Sequence, residues 1–146
     1  MASQDEIVDA LAGMALFADL TTPQLKGVAH IFEEAWFPGG ERILRQGLTG
    51  SAFYVILEGE AQILVDGQER ATLGKGEFFG ELSVIDQKPR NASIEAAEQT
   101  EVLALASWDL LALLETDPQL ALNMIKGLAA RLGLAVDELA GERQGH

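Results

Sequence analysis

The chain has 146 residues, 48% of them hydrophobic, which is enough for one domain with a full core. The absence of cysteine excludes disulfides, thiolate metal ligands and cysteine nucleophiles, and it predicts a cytoplasmic protein. A formal net charge of −13 with scattered basic residues argues against DNA binding, and no apolar run reaches the ~18 residues of a membrane span.

Two helices are predicted at the N-terminal end, within residues 3–34. Ser3 followed by Glu6 is typical of a capping box, and hydrophobic residues then recur at helical spacing. Thr21 with Gln24, and Pro23 in the first turn, predict the start of the second helix. We expect the apolar residues of both helices to serve packing.

Closely spaced turns mark residues 35–106, because nine of the fifteen glycines fall between Gly39 and Gly80. Asp66-Gly67 is a strong signal for a two-residue hairpin, and Gly74-Lys75-Gly76 indicates another hairpin turn. Many short strands at regular spacing predict an antiparallel roll or barrel. The predicted strands are Arg42–Arg45, Ala52–Leu57, Ala61–Val65, Glu69–Leu73, Ser93–Ala96 and Val102–Ala106.

Two further helices are predicted within residues 107–140. Ser107 is expected to cap a short helix through Leu114, and Asp117-Pro118 to begin a long one that ends near Ala140. The long helix has an apolar band wider than packing on one face of a roll requires. One interpretation is that one stripe faces the roll and the other forms the seam of a homodimer. The alternative is a monomer in which the whole apolar face folds back over the roll. The seam stripe is Ile125, Leu128, Leu132, Ala135 and Leu139, and the second stripe is Leu122, Ala129 and Val136.

The segment from Phe79 to Ala96 places a carboxylate and a guanidinium at the two ends of a short connection between hydrophobic segments. It reads Phe-Gly-Glu, a small residue two positions on, a spacer, and then Pro-Arg-Asn-Ala-Ser-Ile-Glu-Ala. This pattern resembles the phosphate-binding cassette of the cyclic nucleotide-binding domain family, and the likeness extends roughly from Leu16 to Leu139. The resemblance implies an α+β fold, with an eight-stranded antiparallel, jelly-roll-like β-roll, helices before it, and a short and a long helix after it.

The resemblance also implies a binding site for a cyclic mononucleotide. Arginine is the side chain best suited to a phosphodiester, because its planar fork is always charged, and backbone N–H groups at a helix start add to it. Gly80 lets the backbone approach closely. By resemblance, Glu81 accepts a hydrogen bond from the ribose 2′-hydroxyl and Arg90 pairs with the phosphate. The implied ligand-binding residues are Gly80, Glu81, Leu82, Ser83, Arg90, Asn91, Ala92 and Ser93.

The predicted function is therefore the binding of cAMP by a regulatory or sensor module. Asn91 stands where the family commonly has Ser, Thr, Ala or Gln, which leaves cGMP open as the ligand. With only two histidines, neither a cupin-type metal site nor a Ser/His/Asp set can be assembled, so we expect no metal, no cofactor and no enzyme.

Transcription factors of the catabolite activator type carry a helix-turn-helix after the long helix. The sequence stops at His146, which leaves no room for such a segment, so we expect either a stand-alone module or a piece of a longer protein, and no DNA binding by this chain. The alternative function is a ligand-free scaffold or protein-interaction domain with the same fold.

Overall fold

The structure, a computed structural model, describes residues 3–44, 52–81 and 92–144, with side chains as far as residue 141. Its helices and strands form the α+β fold predicted from the sequence. The helices are α1 (Gln4–Ala12), a 3₁₀-helix (Ala15–Phe17), α2 (Thr22–Ile31), α3 (Ser107–Thr116) and α4 (Pro118–Gln144). The strands are β1 (Glu33–Phe37), β2 (Arg42–Leu44), β3 (Ala52–Glu58), β4 (Ala61–Val65), β5 (Gln68–Leu73), β6 (Phe78–Phe79), β7 (Ser93–Ala96) and β8 (Thr100–Ala106).

Across the described ranges the strands form two four-stranded antiparallel sheets, which pack on each other as a roll. One sheet has the strand order β1-β8-β3-β6, and the other has the order β2-β7-β4-β5. Asp66 and Gly67 join β4 to β5 with φ angles of 53° and 80°, as the predicted hairpin requires. Side chains from both sheets fill the space between them: Ile56, Ala61, Leu73, Phe79, Ile94 and Val102.

The sheet that contains β3 and β8 is buried on both faces. Along β3, Tyr54 and Ile56 point into the roll, whereas Phe53 and Val55 belong to a second core shared with the helices. A strand covered on both faces needs no polar alternation, which explains why β3 and β8 read as continuous apolar runs. The roll and its helical cover are thus two cores that share one sheet.

The N-terminal helices begin at the residues that the sequence indicates. Ser3 accepts a hydrogen bond from the Glu6 amide, and Thr21 and Gln24 form a reciprocal capping box. The second helix ends earlier than the predicted boundary at residue 34, because Phe32 is already extended and β1 begins at Glu33. The sequence does not indicate strand β1, because two glutamates are followed by three apolar residues and polar and apolar residues do not alternate.

Two local predictions were wrong. The N-cap of α3 is Ala106, which has no side-chain cap, and Ser107 is the first helical residue. The turn at Gly74-Lys75-Gly76 connects β5 in one sheet to β6 in the other, so it is a crossover and not a hairpin. Both predictions relied on one to three residues, a serine in one case and two glycines in the other. Such short signals do not determine the exact helix start or which sheet the next strand joins.

The buried amide of Asn123 fastens the first half of α4 to the N-terminal region. Its Nδ2 donates to the backbone carbonyls of Leu16, at 2.9 Å, and Ala18, at 2.8 Å. Its Oδ1 accepts from the Gln119 side chain at 3.0 Å. An amide that satisfies three hydrogen bonds in a buried position fixes the helix in one register against the 3₁₀-helix.

The long helix packs through a stripe that neither predicted stripe describes. Leu120 and Met124 are buried, and Leu128 packs against the same core, so Leu128 faces the protein and not a seam. The prediction that Leu122, Ala129 and Val136 face the roll was wrong, because all three are exposed. Within the described part of the chain, no helix combines the length and apolarity needed to cross a membrane.

Three carboxylates lie next to one another across strands β1, β8 and β3 of the shared sheet. Glu101 on β8 is only 6% exposed, lies opposite Glu58 of β3, and is hydrogen-bonded to Glu34 of β1. Burial, followed by the hydrogen bond and the negative charge of Glu34, raises the pKa of Glu101. The folded state therefore binds a proton at Glu101 more tightly than the unfolded chain does.

This raised pKa predicts the pH dependence of stability. Protonated Glu101 contributes to the free energy of unfolding, and this contribution is fully present below about pH 4, the ordinary pKa range of a glutamate. The contribution is lost as the pH rises through the pKa that Glu101 has in the folded state. We expect Glu101→Gln to be more stable than the parent at pH 7.5, and its advantage to shrink toward pH 4.5. Urea unfolding across this range measures the difference. The exposed Glu98→Gln is the control, and an equal response from both variants would refute the assignment.

Candidate functional site

Gly80 and Glu81 follow β6 directly, and their positions are set by the two side chains of β6, which point to opposite faces of the sheet. Phe78 points to the helical core and Phe79 into the roll, where it stacks on Tyr54 with ring centroids 5.1 Å apart. Gly80 then takes a φ of 92°, a left-handed conformation that favours glycine. Glu81 follows and is 4% exposed, so β6 delivers a carboxylate to a buried position beside both cores.

Arg131 of α4 reaches this carboxylate. Its Nη1 donates to Glu81 Oε1 at 3.1 Å, and its Nη2 donates to the carbonyl oxygen of Phe78. The Glu81 side chain is almost fully buried, whereas about a third of the Arg131 side chain is exposed. A charge-assisted hydrogen bond at this distance neutralises the carboxylate and ties α4 to the end of β6.

The guanidinium of Arg131 also lies over an aromatic ring. Its Cζ is 4.3 Å from the centroid of Phe78, which is within the range of a cation–π contact. Phe78 is backed by Phe53, with centroids 5.7 Å apart. The guanidinium is therefore positioned by the ring and the carbonyl of Phe78 and by the carboxylate of Glu81.

The other end of the sequence motif lies in the opposite sheet. Ala92 is half-buried, and Ser93 is buried at the start of β7. Ser93 Oγ accepts a hydrogen bond from Arg42 Nη1 at 3.1 Å, and Arg42 Nε pairs with Glu95 Oε2 at 3.0 Å. Arg42 of β2 thus fixes the first residues of β7.

The sequence-predicted site is described in part. Gly80 and Glu81 come from one sheet, and Ala92 and Ser93 come from the other. Leu82, Ser83, Arg90 and Asn91 lie outside the described residues. The structure therefore places both ends of the motif and leaves the roles of the connecting residues as predictions.

Two residues of the site were missed by sequence reasoning. The apolar stripes of the long helix do not indicate Arg131, although an arginine between Ala130 and Leu132 is itself a signal. The sequence places Arg42 in a strand and does not indicate its partners. Both are arginines whose acidic partner is distant in sequence, so only the fold brings the pairs together.

The described residues of this site offer a buried carboxylate and a guanidinium. Groups of carboxylates and histidines suited to a metal ion are absent from the described parts of the chain. A carboxylate offers about four lone-pair sites, so Glu81 can accept from a ligand hydroxyl and from Arg131 together. With Arg131 beside it, the carboxylate presents less negative charge to an anionic ligand.

Comparisons with known proteins identify the family of this chain. The sequence profile described as "Cyclic nucleotide-binding domain" matches residues 34–117. The Cyclic AMP receptor protein of Thermus thermophilus is 39% identical over 134 residues, which cover 88% of this chain and 62% of that protein. The chain thus spans less than two thirds of the length of that curated relative.

Solved structures show the same fold. The crystal structure of Thermus thermophilus Catabolite Activator Protein aligns with a TM-score of 0.77 at 39% identity, covering 86% of this chain and 62% of that one. A cyclic nucleotide-binding domain from Methylobacillus flagellatus aligns with a TM-score of 0.80 at 25% identity, covering 95% and 83% of the two chains. The roll and both groups of helices are shared features.

The ion pair at the end of β6 predicts a loss of stability on removal of its cation. Arg131→Met keeps a long side chain but leaves the buried Glu81 carboxylate without its charged partner. We expect the free energy of unfolding to fall by about 1–2 kcal/mol, a charged hydrogen bond discounted for the exposure of Arg131. Urea unfolding without ligand measures this, with the exposed Lys126→Met as the control on the same helix. Equal stability of the two variants would show that the pair does not anchor α4.

Proposed function

Since the chain belongs to the cyclic nucleotide-binding domain family, we propose that it binds a cyclic mononucleotide, cAMP in preference to cGMP, as a regulatory module. The observation that carries the proposal is the buried carboxylate of Glu81, presented by Gly80 at the end of β6 and held by Arg131. This is the carboxylate to which the motif assigns the ribose. The name of the Thermus thermophilus relative, Cyclic AMP receptor protein, supports cAMP as the first ligand to test.

The proposed recognition divides the ligand between two sheets. Glu81 accepts a hydrogen bond from the ribose 2′-hydroxyl, and Arg90 pairs with the cyclic phosphate through its planar fork. Gly80, Leu82 and Ser83 supply donors near the ribose and phosphate. Asn91, Ala92 and Ser93 line the other side. The chain has a net charge of −13, so its overall field repels an anionic ligand. The positive charge of Arg90 must overcome this repulsion locally, which makes Arg90 the decisive contact.

The proposal extends to the chain as a unit. Residues 1–146 form a single domain, without catalytic activity and with a cytoplasmic location. A chain this acidic lacks the clustered cations on which binding to phosphate backbones depends, so duplex DNA is not among its proposed partners.

A melting experiment tests nucleotide binding. A ligand at 100 times its dissociation constant stabilises the folded state by about 2.7 kcal/mol, which raises the melting temperature of a domain of this size by about 5–10 °C. We expect cAMP to produce such a shift, cGMP a smaller one, and AMP none. Absence of a shift with either cyclic nucleotide at millimolar concentration would favour the scaffold function.

Variants show whether a shift comes from the proposed site. Arg90→Ala should weaken cAMP binding about tenfold or more, because a charged hydrogen bond to phosphate is worth roughly 1.5–3 kcal/mol. The exposed Arg70→Ala, on β5, is the control for a general loss of positive charge. Glu81→Gln should weaken the binding of cAMP more than that of 2′-deoxy-cAMP. Parent-like binding by Arg90→Ala would contradict the assignment of the motif.

A second proposal concerns a homodimer through α4. The exposed apolar residues of this helix combine members of both predicted stripes and step by three and four positions. This spacing is typical of the seam of a coiled coil, over about two and a half heptads. The seam consists of Leu122, Ile125, Ala129, Leu132, Val136 and Leu139. A single helix would leave this seam in water, so a second copy of the same helix is the proposed occupant.

The helix offers a matched pair of variants for this dimer. Leu132 and Leu134 are 66% and 65% exposed, but only Leu132 lies in the seam. We expect Leu132→Glu to convert the dimer to a monomer and Leu134→Glu to leave it intact, because only the first buries a charge between helices. Sedimentation at tens of micromolar measures both. A parent protein that sediments as one species near 15.7 kDa, with and without cAMP, would rule the dimer out.

A further inference from the structure

Helix α4 contains a glycine in direct contact with the ring of Phe78. A Cβ added at Gly127 would lie 3.0 Å from Phe78 Cε1 and 3.1 Å from Cζ, closer than carbon atoms normally approach. Gly133, six residues further along the same helix, has nothing within 4 Å of its added Cβ. Glycine inside a helix costs about 1 kcal/mol relative to alanine, so Gly127 is a costly residue at a place where an added Cβ would press on the ring of Phe78.

The ring that contacts Gly127 cannot easily move aside. Phe78 is buried, packs against Phe53 and carries the Arg131 guanidinium over its ring. Its backbone is held by the pairing of β6 with β3. We therefore expect a side chain at residue 127 to displace the helix more than the ring.

Gly127 and Arg131 are four residues apart and share one face of α4. Long helical side chains lean toward the N-terminus of their helix, so Arg131 extends back over the turn that holds Gly127. The ring of Phe78 is thus enclosed by the backbone at Gly127 and the guanidinium of Arg131. The depth at which the helix rests on the ring sets the distance from Arg131 to Glu81.

We propose that Gly127 is a positioning residue for the nucleotide site. By allowing α4 to rest directly on Phe78, it places Arg131 on the Glu81 carboxylate and so prepares that carboxylate for an anionic ligand. The role of Gly127 in ligand affinity rests on the proposed function. Its role in seating the helix does not, because the contact exists in the protein without ligand.

The first arm of the test uses urea unfolding without ligand. Gly127→Ala and Gly133→Ala gain the same helix propensity, so the difference between them isolates the contact with Phe78. We expect Gly133→Ala to be more stable than the parent and Gly127→Ala to be less stable than Gly133→Ala. The difference should shrink in a Phe78→Leu background, where the smaller side chain leaves room for the added methyl group. Equal stability of the two alanine variants overturns the proposal.

The second arm measures the dissociation constant of cAMP. We expect Gly127→Ala to weaken binding about tenfold, comparable to one charge-assisted hydrogen bond, and Gly133→Ala to bind like the parent. In an Arg131→Met background, Gly127→Ala should have no further effect, because the residue through which it acts is gone. An undiminished effect in that background would assign Gly127 a purely structural role. If the parent binds no cyclic nucleotide, the proposed function fails and the unfolding arm alone decides the seating of α4.

Discussion

The position of the second half of α4 depends on one guanidinium that is held by three different groups. Arg131 lies on the ring of Phe78, donates to the carbonyl of the same residue and pairs with Glu81. An aromatic face, a carbonyl dipole and a carboxylate all favour the same positive charge, and a planar group can meet all three at once. Lysine, a point charge on a flexible stem, could not reproduce this geometry.

This contact joins the two cores of the protein through the shortest strand. Phe78 belongs to the core under the helices, and the next residue, Phe79, belongs to the core of the roll. A shift of β6 therefore changes packing on both sides of the shared sheet, because close-packed interiors transmit strain. Any ligand that contacts Glu81 acts on a point where the roll, the helical cover and α4 meet.

The predictable parts of this molecule are those whose signals are local. The Asp66-Gly67 hairpin and the capping box at Thr21 use residues only a few positions apart, and both were predicted. The motif that singles out the Gly-Glu pair after β6 is continuous in sequence, and the role of this pair in ligand binding stays a prediction. Strand β6 itself has two residues, too few for any periodicity to indicate a strand.

The parts that could not be predicted depend on partners distant in sequence. The ion pair of Glu81 with Arg131 spans 50 residues, and that of Arg42 with Glu95 spans 53. The inward face of α4 was wrongly assigned for a related reason. Leucine and alanine occur all round this helix, so the polar residues Asn123 and Arg131 mark its packed face better than the apolar ones do. A polar residue among apolar neighbours was thus the better indicator of the packed face of this helix.

The hydrogen bonds of Asn123 attach α4 to the N-terminal region at one point near the start of the helix. A helix rises 1.5 Å per residue, so Arg131 lies about 12 Å beyond this attachment point and Leu139 about 24 Å beyond it. A rigid tilt of about 10° would move Arg131 by about 2 Å and Leu139 by about 4 Å. Leu139 thus moves about twice as far as Arg131 does. A shift of about 2 Å of the guanidinium beside the buried carboxylate becomes a shift of about 4 Å at the exposed end of the helix.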